Sequence, residues 1–361
     1  MMAWIVSLFV LGVLVLVHEL GHFIVARWSG VTVERFAIGF GPKIIGWTAG
    51  GTEYCLRLFP LGGYVKMAGE QPGEQTHRPD EFVSKPVGVR ARIIAAGPLV
   101  NYATSVLTLW AVLVIGYPEL LPTVGRLVDD MPAKLAGLQA GDRIRAIDGK
   151  SVRTWDELTR LIHQAPDRLL VLRVSRDGAQ LDVPVTPKPQ QITDPFGRRR
   201  GVGLVGIAPS GAFETYRLSP LEAVGETFAK QREWTAQIAL SLWALIQGRI
   251  SFKESFTGPI GIVYMTAEAS RMGIGPLLYL VSVLSLSLAL FNFFPMPILD
   301  GGHLMYLAIE KWRGTPVSVR VQEIAAKVSF MALLVLLAMV CVSDLSRFGI
   351  FQKIVGLWHP E

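Results

Sequence analysis

The chain has 361 residues, of which 51% are hydrophobic and 18% charged, and its mean hydropathy is +0.40; soluble domains carry roughly 25% charged residues. That balance excludes an ordinary soluble protein and leaves room for a small helical membrane bundle with one soluble domain. The net charge of +6 fits cationic loops that fix a membrane topology rather than a nucleic-acid surface, and Cys55 and Cys341 form neither a C-x-x-C metal pair nor a disulfide framework.

The first apolar run, Met1 to Val17, continues to Ala26 through the sequence HELGH. It has no basic n-region and no small-residue cleavage site, so it reads as a retained transmembrane helix rather than a secretory signal. Within it stand His18, Glu19 and His22. Ionisable groups in hydrocarbon are costly and mark function. On a helix, positions i and i+4 share a face, so both imidazoles can reach one metal ion while Glu19 beside them handles a proton.

Between this run and the next lie VTVERFAIGFGPKIIGW and TEYCLRLFPLGGYVKMAGE, which alternate like strands and are broken at Gly39, Gly41, Pro42, Gly62 and Gly63. They read as hairpins whose edge can receive an extended substrate. Three further apolar runs follow at Ile93–Pro118, Gly273–Leu299 and Val328–Ser343, giving four spans of the length a bilayer needs. Lys and Arg gather between spans one and two, and again at Lys311, Arg313 and Arg320 between spans three and four. Those loops are therefore predicted to be cytoplasmic, with both termini and the long segment between spans two and three outside.

That long segment contains a soluble domain over 121–209. The runs TVGRLV, DRIRAIDG, RLLVLRVSRDG and LDVPVTP read as strands, and TWDELTRLIHQA reads as a helix with a capping box of Thr154 and Glu157. Together with MPAKLAGLQAGDRIRAIDGKSVRTWDEL, Met131 to Leu158, the segment resembles a single PDZ domain. Such domains bind an extended peptide by adding it to a sheet edge. Beyond it, Trp234 to Gln247 is free of charge and reads as a helix in or near the outer interface, with a fifth span as the alternative.

A zinc ion needs a third protein ligand and an open position. The third span ends in LFNFFPMPILDGGHLMY, where Pro295 and Pro297 must break the helix. Freed backbone is tolerated at membrane depth only when buried in protein or facing water. Asp300, at the cytoplasmic end of an inward-running span, is the best third ligand; His303 is its rival.

HELGH, GFGP, PLGGYVKM, AAGPLVNYA, TGPIGI and NFFPMPILDGGH together resemble the site-2 protease family, specifically the bacterial RseP/RasP-type zinc intramembrane proteases. The resemblance covers nearly the whole chain. It implies that His18, His22 and Asp300 bind Zn2+, that Glu19 is the catalytic acid/base, that Asn292 contacts the substrate backbone, and that the strand of Gly62, Gly63, Tyr64, Val65 and Lys66 pairs with the extended substrate. It also implies a bacterial inner-membrane location and single-span membrane proteins as substrates, after a first cut by another protease, such as an anti-sigma factor or a remnant signal peptide. Where many relatives carry two PDZ domains, one is found here, and it is expected to gate access.

The fold class predicted is an α-helical polytopic membrane protein of about four transmembrane helices, with a membrane-associated β-hairpin region and one extracytoplasmic PDZ domain. Its parts are an N-terminal membrane region (1–120), the PDZ domain (121–209), a juxtamembrane region (210–272) and a C-terminal membrane region (273–361). A polytopic metal transporter is the alternative function, but it should show repeated intramembrane ligands or inverted repeats. A non-catalytic membrane scaffold is a further rival, and the intact glutamate of HELGH argues against it. No nucleic acid is expected.

Overall fold

The computed structural model describes residues 2–71, 73–251 and 257–347. Parts of the predicted juxtamembrane and C-terminal regions, at 252–256 and 348–361, and both termini therefore lie outside the described residues. The elements of the first half are α1 (Met2–Trp28), β1 (Val33–Ala49), β2 (Thr52–Met67), α2 (Val87–Ile115), β3 (Tyr117–Leu120), β4 (Val124–Leu127), α3 (Pro132–Leu135), β5 (Arg143–Ile147), β6 (Lys150–Ser151) and α4 (Trp155–His163). Then come β7 (Leu170–Arg176), β8 (Ala179–Val185), β9 (Lys188–Thr193), β10 (Arg199–Leu204), β11 (Ile207–Pro209), β12 (Phe213–Tyr216), α5 (Pro220–Ile246), α6 (Pro259–Met272), α7 (Ile274–Asn292), α8 (Asp300–Arg313) and α9 (Val319–Arg347). The chain forms two units, one of Met1–Val112, Val224–Ala239 and Phe252–Glu361, the other of Leu113–Ala223 and Leu240–Ser251.

In the first unit, α1, α2, α7 and α9 are long and apolar enough to cross a membrane, and their backbone groups bond internally, as hydrocarbon requires. The chain is a polytopic membrane protein. The span predicted at Ile93–Pro118 begins six residues earlier, at Val87, and stops at Ile115. Gly116 then turns the chain with φ +100°, and Pro118 lies in β3. The third helix stops at Asn292 rather than Leu299, because prolines at 295 and 297 cannot continue the ladder. The fourth is longer than predicted at both ends.

Serines fasten α2 to α7. Ser105 Oγ donates to the Ser282 carbonyl at 2.7 Å and Ser282 Oγ donates back to the Ser105 carbonyl at 2.8 Å. Gln231 of α5 donates its amide to Ser105 Oγ at 2.6 Å, and Trp234 meets Tyr279 edge-on. Small hydroxyl residues suit helix contacts in lipid, since they let backbones approach and satisfy one another. The last span is held differently: both oxygens of buried Asp344 accept hydrogen bonds from the first turn of α6, from Gly258 N–H at 3.2 Å and Gly261 N–H at 2.8 Å. A carboxylate there meets unpaired helix amides and the positive end of the helix dipole.

The strands β1 and β2 form a sheet with several register shifts. Val33–Ile38 pairs antiparallel with Gly63–Met67, and on its other side Arg35–Ile38 pairs with Glu53–Leu56, which in turn pairs with Ile45–Thr48. Gly63–Met67 is thus an edge. The base of the sheet buries Val31, Val33 and Met67 with Ala26 of α1 and Ile93 of α2; its far end exposes Phe40, Ile44, Ile45, Trp47, Leu58 and Phe59.

The second unit is built around a four-stranded antiparallel sheet of order β6-β5-β7-β8. Inward residues alternate along β7, where Leu170, Leu172 and Val174 are buried and pack with Ile144, Leu158, Ile162 and Val185; burial of each such side chain contributes about 1.5–3 kcal/mol. The pairs β4–β11, β9–β10 and β3–β12 complete it. Thr154 caps α4 by accepting from Glu157 N–H, as the capping box predicts, but the Glu157 carboxylate reaches back to Arg153 N–H at 2.8 Å instead of to Thr154. Asp142, buried, accepts from both Arg176 Nε and Nη2 at 2.7 Å and from Gln139 N–H at 2.9 Å.

Candidate metal centre

His18 and His22 lie one helical turn apart on α1, and the turn that opens α8 brings Asp300 to them. The ligand atoms of these three residues all lie within 4.8 Å of one another. His18 Nε2 is 3.0 Å and His22 Nε2 3.5 Å from Asp300 Oδ2, and the two Nε2 atoms are 3.2 Å apart. Asp300 Oδ2 is buried and receives no well-aligned hydrogen bond. Burial pushes the Asp300 carboxyl up, but the neighbouring imidazoles outweigh this and hold it well below the usual carboxylate range. A buried carboxylate oxygen converging with two imidazole nitrogens is the donor set of a divalent cation bound by two His and one carboxylate.

Local sequence explains why these atoms meet. Asp300 is the first residue of α8, and a Cβ on Gly301 or Gly302 would come within 2.3 Å of the Phe294 or Met296 carbonyl oxygen. Only glycine lets the proline-broken segment fold over this helix start. On α2, a Cβ at Gly97 would stand 2.3 Å from His22 Nε2 and 2.8 Å from His18 Cε1, so the missing side chain is the space the imidazoles occupy. Pro98 supplies no N–H to the carbonyl of Ile94, and in that loosened turn the Ile93 carbonyl accepts from His22 Nδ1 at 2.9 Å. This bond orients the ring and leaves Nε2 as the ligand atom.

The cavity in front of the three residues has a volume of about 690 Å³ and is lined by Glu19, Tyr64, Val65, Glu70, His303 and Tyr306 among others. The Glu19 carboxylate faces the backbone of Val65. A Cβ on Gly63 would meet the Ala37 carbonyl oxygen at 2.8 Å and Glu19 Cγ at 3.3 Å. The edge strand therefore lies against the candidate base. Of the residues expected on that strand, Tyr64 and Val65 line the cavity, whereas Gly62, Gly63 and Lys66 do not, and Lys66 pairs with Glu34 and Glu74. Asn292 ends α7 and is not among the cavity-lining residues. His303, the rival ligand, lines the cavity outside the group of three; burial pushes its imidazole pKa down.

Three contributions were given no place in the site by the sequence reading. Asn101, fully buried, places its side-chain nitrogen 3.3 Å from His18 Nδ1. Gly97 makes the space. Arg90 of α2 forms a two-point ion pair with Glu310 of α8, at 2.5 and 3.1 Å, which ties the helix that starts at Asp300 to the helix that orients His22. The signal available was AAGPLVNYA, a glycine, a proline and an asparagine inside an apolar span, where each needs a reason.

The model of peptidase family M50 matches residues 6–336. Among the similar proteins, one from Rhizobium meliloti, named as a candidate zinc metalloprotease, is 34% identical over 94% of this chain and 95% of its own length. The regulator of sigma-E protease RseP of Escherichia coli is 31% identical over 93% of this chain and 97% of its own. The zinc metalloprotease RasP of Geobacillus kaustophilus is 28% identical over 94% and 96% respectively.

Proposed function

The chain belongs to peptidase family M50, and from that we propose that it is a zinc metalloendopeptidase that cuts transmembrane segments of single-span membrane proteins within the bilayer. The observation that carries the proposal is the convergence of His18, His22 and a buried oxygen of Asp300, beside Glu19 in one cavity. These three residues would hold the ion. Zinc supplies a Lewis acid and lowers the pKa of a water molecule towards neutrality.

The protein's own residues do the rest. Glu19 takes a proton at its carboxylate from the attacking water and returns it to the amide nitrogen that leaves. The edge strand at Gly63 packs closely against the Glu19 side chain before substrate arrives. A substrate helix resists hydrolysis because its carbonyls are bonded internally, so it must unwind locally, and the released groups need new partners. The edge Gly63–Met67 offers them by strand addition, and Asn292 is the second backbone contact. The exposed aromatic and aliphatic residues from Phe40 to Phe59 suit a sheet tip immersed in lipid.

The location proposed is a bacterial inner membrane. The domain over 121–209, outside the cytoplasm and of PDZ type, gates the approach of substrates already trimmed by another protease, such as an anti-sigma factor or a remnant signal peptide. The test is co-expression of the chain, or its Glu19→Gln variant, with a tagged single-span substrate. A shortened fragment with the first and none with the second is the expected result; equal fragments from both overturn the role of Glu19.

A further inference from the structure

The two histidines differ in what stands behind them. His22 Nδ1 faces a main-chain carbonyl, an acceptor that cannot change, so Nδ1 carries a proton. His18 Nε2 lies 3.0 Å from the Asp300 carboxylate, which only accepts, so in the absence of a cation its proton sits on Nε2 facing that oxygen. Its Nδ1 is then an acceptor, matched by the side-chain N–H of Asn101 at 3.3 Å. Asn101 is fully buried, and its Oδ1 has no partner.

A cation held by His18 Nε2 needs the lone pair of that atom, which moves the proton to Nδ1. Two donors would then face each other. The carboxamide carries a donor and an acceptor of nearly the same shape, and half a turn about its last bond brings the unpartnered Oδ1 to Nδ1. The backbone of Asn101 need not move, and it is tied to α7 by Ser285 Oγ, which donates to the Asn101 carbonyl at 2.8 Å.

We infer that Asn101 is a positioning residue for His18, its carboxamide turning so that Oδ1 accepts from Nδ1–H when a cation is held and Nδ2 donates to Nδ1 when Nε2 keeps the proton. His22 has a fixed partner and His18 an adaptable one, so His18 is the ligand that changes tautomer on loading. The inference rests on the metal reading above but makes a separate claim about Asn101.

The test measures zinc affinity of the purified full chain against a competing chelator, for wild type, Asn101→Leu and Asn101→Asp, with thermal unfolding recorded for each. Leu keeps the volume and removes the acceptor, and its zinc affinity is expected to fall about 10- to 100-fold. Asp presents oxygen at both positions and should bind zinc as wild type does, whereas a role requiring the amide N–H would fail in both variants. Zinc binding by Asn101→Leu equal to wild type, or by Asn101→Asp as weak as a tenfold loss, overturns the inference. If Asn101→Leu does not fold, Asn101→Asp alone decides. A wild type that binds no zinc overturns the metal reading itself.

Discussion

Replacing Gly97 by alanine adds one methyl group at the most crowded point of the candidate centre. The new carbon would lie 2.3 Å from His22 Nε2, 2.6 Å from His22 Cε1 and 2.8 Å from His18 Cε1. Ordinary contacts are about 3.5–4.0 Å, so the His22 ring must retreat by about 1 Å or α2 must move away from α1 by as much. Metal–ligand distances tolerate only about 0.2 Å, and a 1 Å misplacement of a catalytic constellation costs on the order of 100-fold in rate. The variant is therefore expected to lose most of its zinc and to cleave a model substrate about 100-fold more slowly. At Gly88, in the first turn of the same helix, an added Cβ would meet nothing within 4 Å, and Gly88→Ala should keep zinc and activity while stabilising the chain by up to about 0.5–1 kcal/mol. Metal analysis and fragment formation, measured on both variants, check the contrast. Stoichiometric zinc and unchanged cleavage in Gly97→Ala would refute the packing argument.

His22→Phe and Asp300→Ala should each strip zinc from the purified chain, while Glu19→Gln keeps it; full retention in both ligand variants removes the assignment. Asp142→Asn should destabilise the second unit by about 2 kcal/mol, because it breaks the charge-assisted pair with Arg176, as a urea titration of the full chain would report. Burial pushes the Asp142 carboxyl up, but the Arg176 pair outweighs it and the pKa falls below its ordinary 3.8; this stabilisation is complete above that value and is lost as pH falls through the depressed one. Excising 123–209 and bridging the cut, whose ends lie close because Ser210 N–H donates to the Thr123 carbonyl at 3.0 Å, should leave cleavage of a trimmed substrate intact and raise that of an untrimmed one. Loss of both, with zinc content normal, rules out a gate.

What was legible in the sequence is what depends on neighbours along the chain. His18 and His22 meet because they are four residues apart on a helix, and Thr154 caps α4 because the acceptor and the N–H it serves are three apart. Asp300 was legible at longer range only because two prolines marked a break at the right depth. Asn101 and Gly97 act across the contact of α1 with α2, where no local pattern records the register. The strands β9 and β10 leave little signature for another reason: nearly every residue of β9 is exposed, so no apolar alternation announces it. The pairing of β1 with β2 was hidden by glycines and by a register that shifts several times, where a single slip changes which face a side chain occupies.

The bonds from Asp344 to the amides of Gly258 and Gly261 bear on the order in which the molecule is made. A ribosome delivers α6 more than seventy residues before it delivers Asp344, and in that interval the first amides of α6 lack their final acceptor. A chain stopped short of residue 344 would keep them so. The finished helix packing is thus checked by the last span to emerge, and nascent chains that lack it present a polar defect that membrane quality-control proteases can recognise. Shortening the protein from its C-terminus should accordingly shorten its lifetime abruptly at Asp344, not gradually along α9.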